Sequence, residues 1–85
     1  MNATVYSLPA CVQCNSTYKA FNRKDVPFAT VDVSEDPEAH AFTKELGYLQ
    51  APVVVVRDAD GAVKDHWGGF KPEKINEFAA AVKAA

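Results

Sequence analysis

The sequence predicts an α/β domain: a four-stranded mixed sheet flanked by three helices, in the order β-α-β-α-β-β-α. Three observations predict it. Runs rich in valine and other β-formers occur near residues 3–8, 28–33, 53–56 and 62–67. Between and after them, apolar residues recur at helical spacing. The first strand, helix and second strand are close enough in sequence to form a βαβ unit, whose two strands run parallel. The length of 85 residues supports one domain, spanning 1–85.

Composition excludes several functions. Hydrophobic residues are 48% and charged residues 24%, the balance of a globular chain rather than a disordered one. The net charge of −2 offers no basic surface for nucleic acid. The longest purely apolar run, Val53–Val56, is far too short to span a membrane. Met1–Val5 has no cationic segment followed by a long apolar one, so no secretory signal is expected. A soluble, cytoplasmic monomer is the expectation.

Residues 3–8 alternate and then meet Pro9, which makes them the first strand. Pro9-Ala10 is the turn out of it. The first helix is predicted from Val12 to Lys24, with Cys14, Thr17, Tyr18 and Phe21 on one side. Asp25-Val26-Pro27 stops it, because the residue before proline avoids the helical region. Phe28–Val33 is the second strand. Asp36 is a good N-cap for the second helix, Pro37 suits its first position and Glu38 complements its dipole. Ser34 is a competing cap. Ala39, Phe42 and Leu46 form an apolar stripe, and Gly47 is the stop.

Four consecutive valines, Val53–Val56, lack alternation, so their strand is expected to be covered on both faces. Asp58–Gly61 is a turn. Ala62–Trp67 returns as the fourth strand, with Lys64 and Asp65 suiting an edge. Gly68-Gly69-Phe70 reads as a loop. The third helix starts near Pro72, with Ile75, Phe78, Ala79 and Val82 as its buried stripe. The first and valine strands belong in the centre, with helices on both faces.

Both cysteines, Cys11 and Cys14, lie in Cys-Val-Gln-Cys, where the first strand gives way to the first helix. A helix N-terminus carries free N–H groups and a partial positive charge. A thiolate is stabilised there, and the thiolate is the nucleophile. Residues i and i+3 are helical neighbours, so the two sulfurs are within bridging reach. The pattern reads as a redox-active dithiol. Cys11, ahead of the helix body, is the expected attacking residue. Cys14, one turn in beside Tyr18 and Phe21, is the expected buried resolving residue. The competing reading is half of a zinc site. Zinc commonly takes four ligands, and only His40 and His66 remain, far apart and without ligand spacing.

Two further stretches stand out. Pro52 begins the valine strand, where proline is tolerated at the first position. A cis Ala51-Pro52 bond would free the preceding backbone to pair with a bound peptide; a plain trans bond is the ordinary alternative. In Trp67-Gly68-Gly69-Phe70, Trp67 and Phe70 either form an apolar contact surface, or Trp67 caps the core and the glycines turn the chain. Both readings stay open at this point. His66 is expected as a surface strand residue, and His40 as solvated.

These pieces together resemble the glutaredoxin-like members of the thioredoxin superfamily, most closely the NrdH redoxins. The resemblance covers essentially the whole chain. It rests on Cys11-Val12-Gln13-Cys14, Val31–Ser34, Gly47–Val54 and Trp67–Glu73. It implies a thioredoxin fold, a cis Ala51-Pro52 bond facing the cysteine pair, and dithiol–disulfide exchange with no bound cofactor. Electrons would come from NADPH through thioredoxin reductase. The client would be the large subunit of class Ib ribonucleotide reductase, which needs a disulfide reduced after each turnover. Partner contact would fall on Val12, Gln13, Ala51, Pro52, Trp67, Gly68, Gly69 and Phe70. Glutaredoxins proper usually carry Cys-Pro-Tyr-Cys and an acidic pair after Gly-Gly; here Phe70-Lys71-Pro72 follows Gly69, which argues against glutathione as reductant. Gly68 departs from the serine common in NrdH redoxins, at the expected cost of a loop hydrogen bond. Glutathione-dependent glutaredoxin, general protein disulfide reductant, and a zinc or iron–sulfur module are the competing functions.

Overall fold

The structure is a computed structural model and describes residues 1–84. Its elements are β1 (Asn2–Ser7), α1 (Val12–Arg23), β2 (Ala29–Asp32), α2 (Pro37–Glu45), β3 (Val53–Arg57), β4 (Val63–Gly68) and α3 (Pro72–Ala84). The sheet order is β2-β1-β3-β4. β1 is parallel to β2, with Thr4 opposite Ala29 and Ser7 opposite Asp32. β3 is antiparallel to both neighbours, with Val54 opposite Val5 on one side and Trp67 on the other. The predicted mixed sheet, its order and its central strands are all present.

The valine run explains the layering. Successive strand side chains point to opposite faces. Val54 and Val56 join Ala3, Val5, Phe21, Ile75 and Phe78 in the core under α1 and α3. Val53 and Val55 join Tyr6 on the other face, where Ala39 and Phe42 of α2 and its C-cap Leu46 pack half-buried. All four valines are buried, each worth about 1.5–3 kcal/mol. Phe21 fills the centre of the larger core. Its ring lies 5.1 Å from Phe28 and 5.8 Å, edge-on, from Phe78.

Local signals set most boundaries. α1 ends at Arg23, with Lys24 as its cap. Asp25 takes φ +55, and Val26 folds back into the core. Asp36 caps α2 by accepting the Ala39 N–H at 3.0 Å. The competing Ser34 is engaged elsewhere, donating its N–H and hydroxyl to Asp32 at 2.9 and 2.6 Å. Gly47 follows the α2 cap at positive φ. Two differences stand out. Gly68 is the last residue of β4, not loop, because its backbone pairs with Val53. The buried residue of α2 is Thr43, whose hydroxyl donates to the His40 carbonyl at 2.9 Å. No helix among the described residues is long and apolar enough to cross a membrane.

Candidate active site

Cys11 is the N-cap of α1. Its backbone is extended, at φ −99 and ψ 109, and its Sγ accepts the Cys14 N–H at 3.1 Å. A sulfur therefore stands where a serine or aspartate oxygen usually satisfies a free helical N–H. The Cys11 carbonyl accepts the Asn15 N–H at 3.1 Å and starts the helical ladder. Cys11 and Cys14 form a disulfide with Cα atoms 5.2 Å apart. Cys11 is half-buried, whereas Cys14 is 2% exposed. The approach is unusual: Ala10, a residue with a Cβ, sits at φ +57. That conformation costs an L-residue about 1–2 kcal/mol. Nothing in the local sequence announced it.

The second segment is Tyr48–Pro52. The Ala51-Pro52 bond is cis, Pro52 is buried, and its carbonyl accepts the Gly69 N–H at 2.8 Å. The third is Gly68–Lys71. The Phe70 N–H donates to the side-chain oxygen of Gln13 at 3.1 Å. Adjacent loop amides thus reach two different elements. Gln13, Tyr48–Ala51, Gly68, Gly69 and Lys71 line a groove of about 450 Å³. Tyr48 lies against Gly68, and its hydroxyl pairs with His66 Nδ1 at 2.7 Å. Burial raises the Tyr48 pKa above the ordinary tyrosine value; the Asp65 charge adds to this and Lys74 opposes it.

The expected contact residues separate. Val12 is 79% exposed and Phe70 39%, so both present apolar surface. Trp67 is corrected. It is 3% exposed and belongs to the core with Phe78 and Ile75, so only the Gly68–Phe70 part of the expected surface is accessible. Its position on β4 points the large indole under α3, where its Nε1 is buried without a hydrogen-bond partner and the Lys74 ammonium lies 5.6 Å from the ring centroid. His66 lies on β4 as expected, half-buried, and is bonded to Tyr48. His40 is exposed and lines a second cavity of about 290 Å³ with Leu8, Leu49 and Ala51. Leu49, 86% exposed, and Leu8 were missed as contact candidates. A bare leucine beside Ala51-Pro52 was the available signal. Among the described residues, no group of three or more His, Cys, Asp and Glu side chains is placed to hold a metal ion.

Comparison with known proteins bears on this geometry. The glutaredoxin family model matches residues 3–59. The glutaredoxin-like protein NrdH of Escherichia coli K12 is 34% identical over 85 residues, covering all of this chain and 98% of the relative. This chain belongs to the glutaredoxin family, as an NrdH-type redoxin. The NrdH protein of Lactococcus lactis subsp. cremoris MG1363 is 29% identical over 89% of this chain and 97% of its own. The solved structure of E. coli NrdH-redoxin superposes with a TM-score of 0.80 at 34% identity, covering 91% of this redoxin and 93% of that chain. Desulfothioredoxin of Desulfovibrio vulgaris Hildenborough matches with a TM-score of 0.70 at 24% identity, covering 94% and 79% of the two chains, a likeness of fold. The architecture is the thioredoxin fold. The redoxin is a thiol–disulfide oxidoreductase, and Cys11-Cys14 is its redox-active disulfide.

Proposed function

We propose that this redoxin reduces protein disulfides, with Cys11 attacking and Cys14 resolving. It receives electrons from NADPH through thioredoxin reductase and passes them to the large subunit of class Ib ribonucleotide reductase. The observation that carries the assignment of roles is the asymmetry at the start of α1. Cys11 caps the helix and accepts the Cys14 N–H, while Cys14 is 2% exposed. The free N–H groups and dipole at that terminus favour a thiolate at Cys11.

The chemistry follows from that placement. The Cys11 thiolate attacks one sulfur of the client disulfide. A Cys11–client bond forms, the client S–S bond breaks, and the first client sulfur leaves as a thiolate. Cys14 loses its proton and attacks Cys11 Sγ. The Cys11–Cys14 bond forms, the mixed disulfide breaks, and the second client sulfur leaves as a thiolate. Two electrons have moved to the client, and NADPH restores the dithiol through the reductase.

Val12, Gly69 and Phe70, with the Ala51-Pro52 backbone, are the proposed partner contacts. A cytoplasmic location and a monomeric working form accompany this reading. The solved E. coli NrdH-redoxin is described as having a thioredoxin-like activity profile, which supports the choice of reductase. Lys71 stands in the groove where an acidic pair would help hold glutathione, which weighs against a glutathione cycle.

The test is NADPH consumption with the oxidised protein, once with thioredoxin reductase and once with glutathione plus glutathione reductase. Fast turnover with thioredoxin reductase alone is expected. Fast turnover with glutathione alone would overturn the choice of reductant. Reduction of isolated class Ib large subunit by the dithiol form tests the client; no reduction there would leave a general disulfide reductant.

A further inference from the structure

We propose that Gln13 is a positioning residue: its side-chain oxygen holds the Phe70 N–H and thereby sets the loop that a client protein meets beside the redox pair. The inference rests on the disulfide-reductase reading. It assigns Gln13 an internal task, in place of the direct partner contact expected from sequence.

Gln13 is anchored twice. Its backbone carbonyl accepts the hydroxyl of Thr17, a fully buried residue, at 2.9 Å. Its side chain spans a sequence separation of 57 residues to accept the Phe70 N–H at 3.1 Å. The helix that carries both cysteines is thus fastened from its second residue to the loop after β4. The neighbouring Gly69 N–H is held by the Pro52 carbonyl at 2.8 Å. The redox helix, the cis-proline segment and the loop therefore form one hydrogen-bonded unit.

The loop is shaped around the Gln13 oxygen. Gly69 sits at φ +79, where glycine is favoured. A Cβ there would stand 3.3 Å from that same oxygen. The Phe70 N–H is consumed internally, so a peptide partner cannot use it. What the loop offers outward is the Phe70 ring, 39% exposed. A protein client that docks on this ring needs it in one place, whereas a small disulfide meets only the sulfurs.

The test uses Gln13→Met, which keeps the length and loses the acceptor, and Gln13→Glu, which keeps an acceptor. The first readout is amide hydrogen exchange at Phe70 in the oxidised protein. Gln13→Met is expected to speed it about tenfold or more, and Gln13→Glu to leave it within about threefold of the parent. Gly69 exchange stays slow in both. The second readout is single-turnover reduction of insulin and of bis(2-hydroxyethyl) disulfide, an uncharged small disulfide, by pre-reduced protein. In Gln13→Met the ratio of insulin to small-disulfide efficiency is expected to fall at least about fivefold, through the insulin concentration for half-saturation. Gln13→Glu recovers most of that ratio; its added charge beside the thiolate acts on both substrates alike.

Unchanged Phe70 exchange in Gln13→Met would overturn the strut. So would equal loss of the ratio in Met and Glu, which would make Gln13 a direct contact. If the parent protein reduced neither disulfide, the reductase reading would fail, while the exchange measurement would still decide the strut.

Discussion

Gly68→Ala tests the packing behind the site. Gly68 is a strand residue whose own φ is not positive, so its backbone accepts alanine. The obstacle is Tyr48. A Cβ on Gly68 would lie 2.8 Å from Tyr48 Cδ1 and 2.9 Å from Cε1. Ordinary carbon contact is about 3.5–4.0 Å, so the ring must move by about 0.7 Å or more. It is not free to move, because its hydroxyl is held by His66 Nδ1 at 2.7 Å and it packs against the cluster of Tyr6, Val53 and Val55. Keeping the ring in place strains the core by about 1–3 kcal/mol. Swinging it out loses a hydrogen bond of about 0.5–1.5 kcal/mol and some buried area. Alanine returns about 0.4–1 kcal/mol by restricting the unfolded chain. The net loss is about 1–2 kcal/mol, or a fall in Tm of about 5–15 °C for a domain of this size. Thermal and urea unfolding of four proteins decides it: parent, Gly68→Ala, Tyr48→Ala and the double variant. A coupling of about 1 kcal/mol or more is expected, with Gly68→Ala nearly neutral once Tyr48 is gone. A single variant within about 0.5 kcal/mol of the parent, or simply additive costs, would refute the reasoning.

The remaining predictions concern chemistry and charge. Cys11→Ser should abolish disulfide reduction, and Cys14→Ser should accumulate a mixed disulfide with client at Cys11, visible on a non-reducing gel. Parent-like turnover of Cys14→Ser on dithiol-requiring clients would remove the resolving role. Lys74 Nζ, 2.6 Å from Asp65 Oδ2, donates the hydrogen bond that most lowers the Asp65 carboxyl below its ordinary value. A lowered folded pKa gives stability that is present above about pH 3.9 and lost as pH falls through the folded value. Asp65→Asn should therefore flatten the acid side of a plot of urea midpoint against pH; an unchanged slope would contradict the pairing. Lys71→Asp should raise glutathione turnover by no more than about twofold, since an exposed ion pair is worth about 0–1 kcal/mol and the Val12-Gln13 spacer and the rest of the loop still differ from those of glutaredoxins. A tenfold gain would mean that this charge alone excludes glutathione.

The same Tyr48 contact recasts the departure at Gly68. From sequence, glycine in place of the serine common in NrdH redoxins meant a lost hydrogen bond. In the structure, the space that serine would need is filled by the Tyr48 ring.

What the sequence alone determined was everything carried by local pattern. Alternation, helical spacing, the Asp36-Pro37 cap and the valine run act over a few residues, and they specify the elements, their order and the two-sided burial of β3. The Cys-x-x-Cys at a strand-to-helix junction likewise placed the reactive sulfurs at a helix N-terminus. Only the tertiary structure decided which face of an ambiguous residue wins. Trp67 was balanced between core and contact surface because a large aromatic suits both, and the packing of α3 over β4 buried it. Thr17 and Thr43 are buried although polar, because each hydroxyl finds a carbonyl within its own helix. The links from Gln13 to Phe70, Tyr48 to His66 and Gly69 to Pro52 have no sequence signature, since each joins segments at least 17 residues apart that meet only once the sheet has formed. Hydrophobic periodicity is a property of neighbours along the chain. Hydrogen bonds between loops depend on where the whole chain brings them.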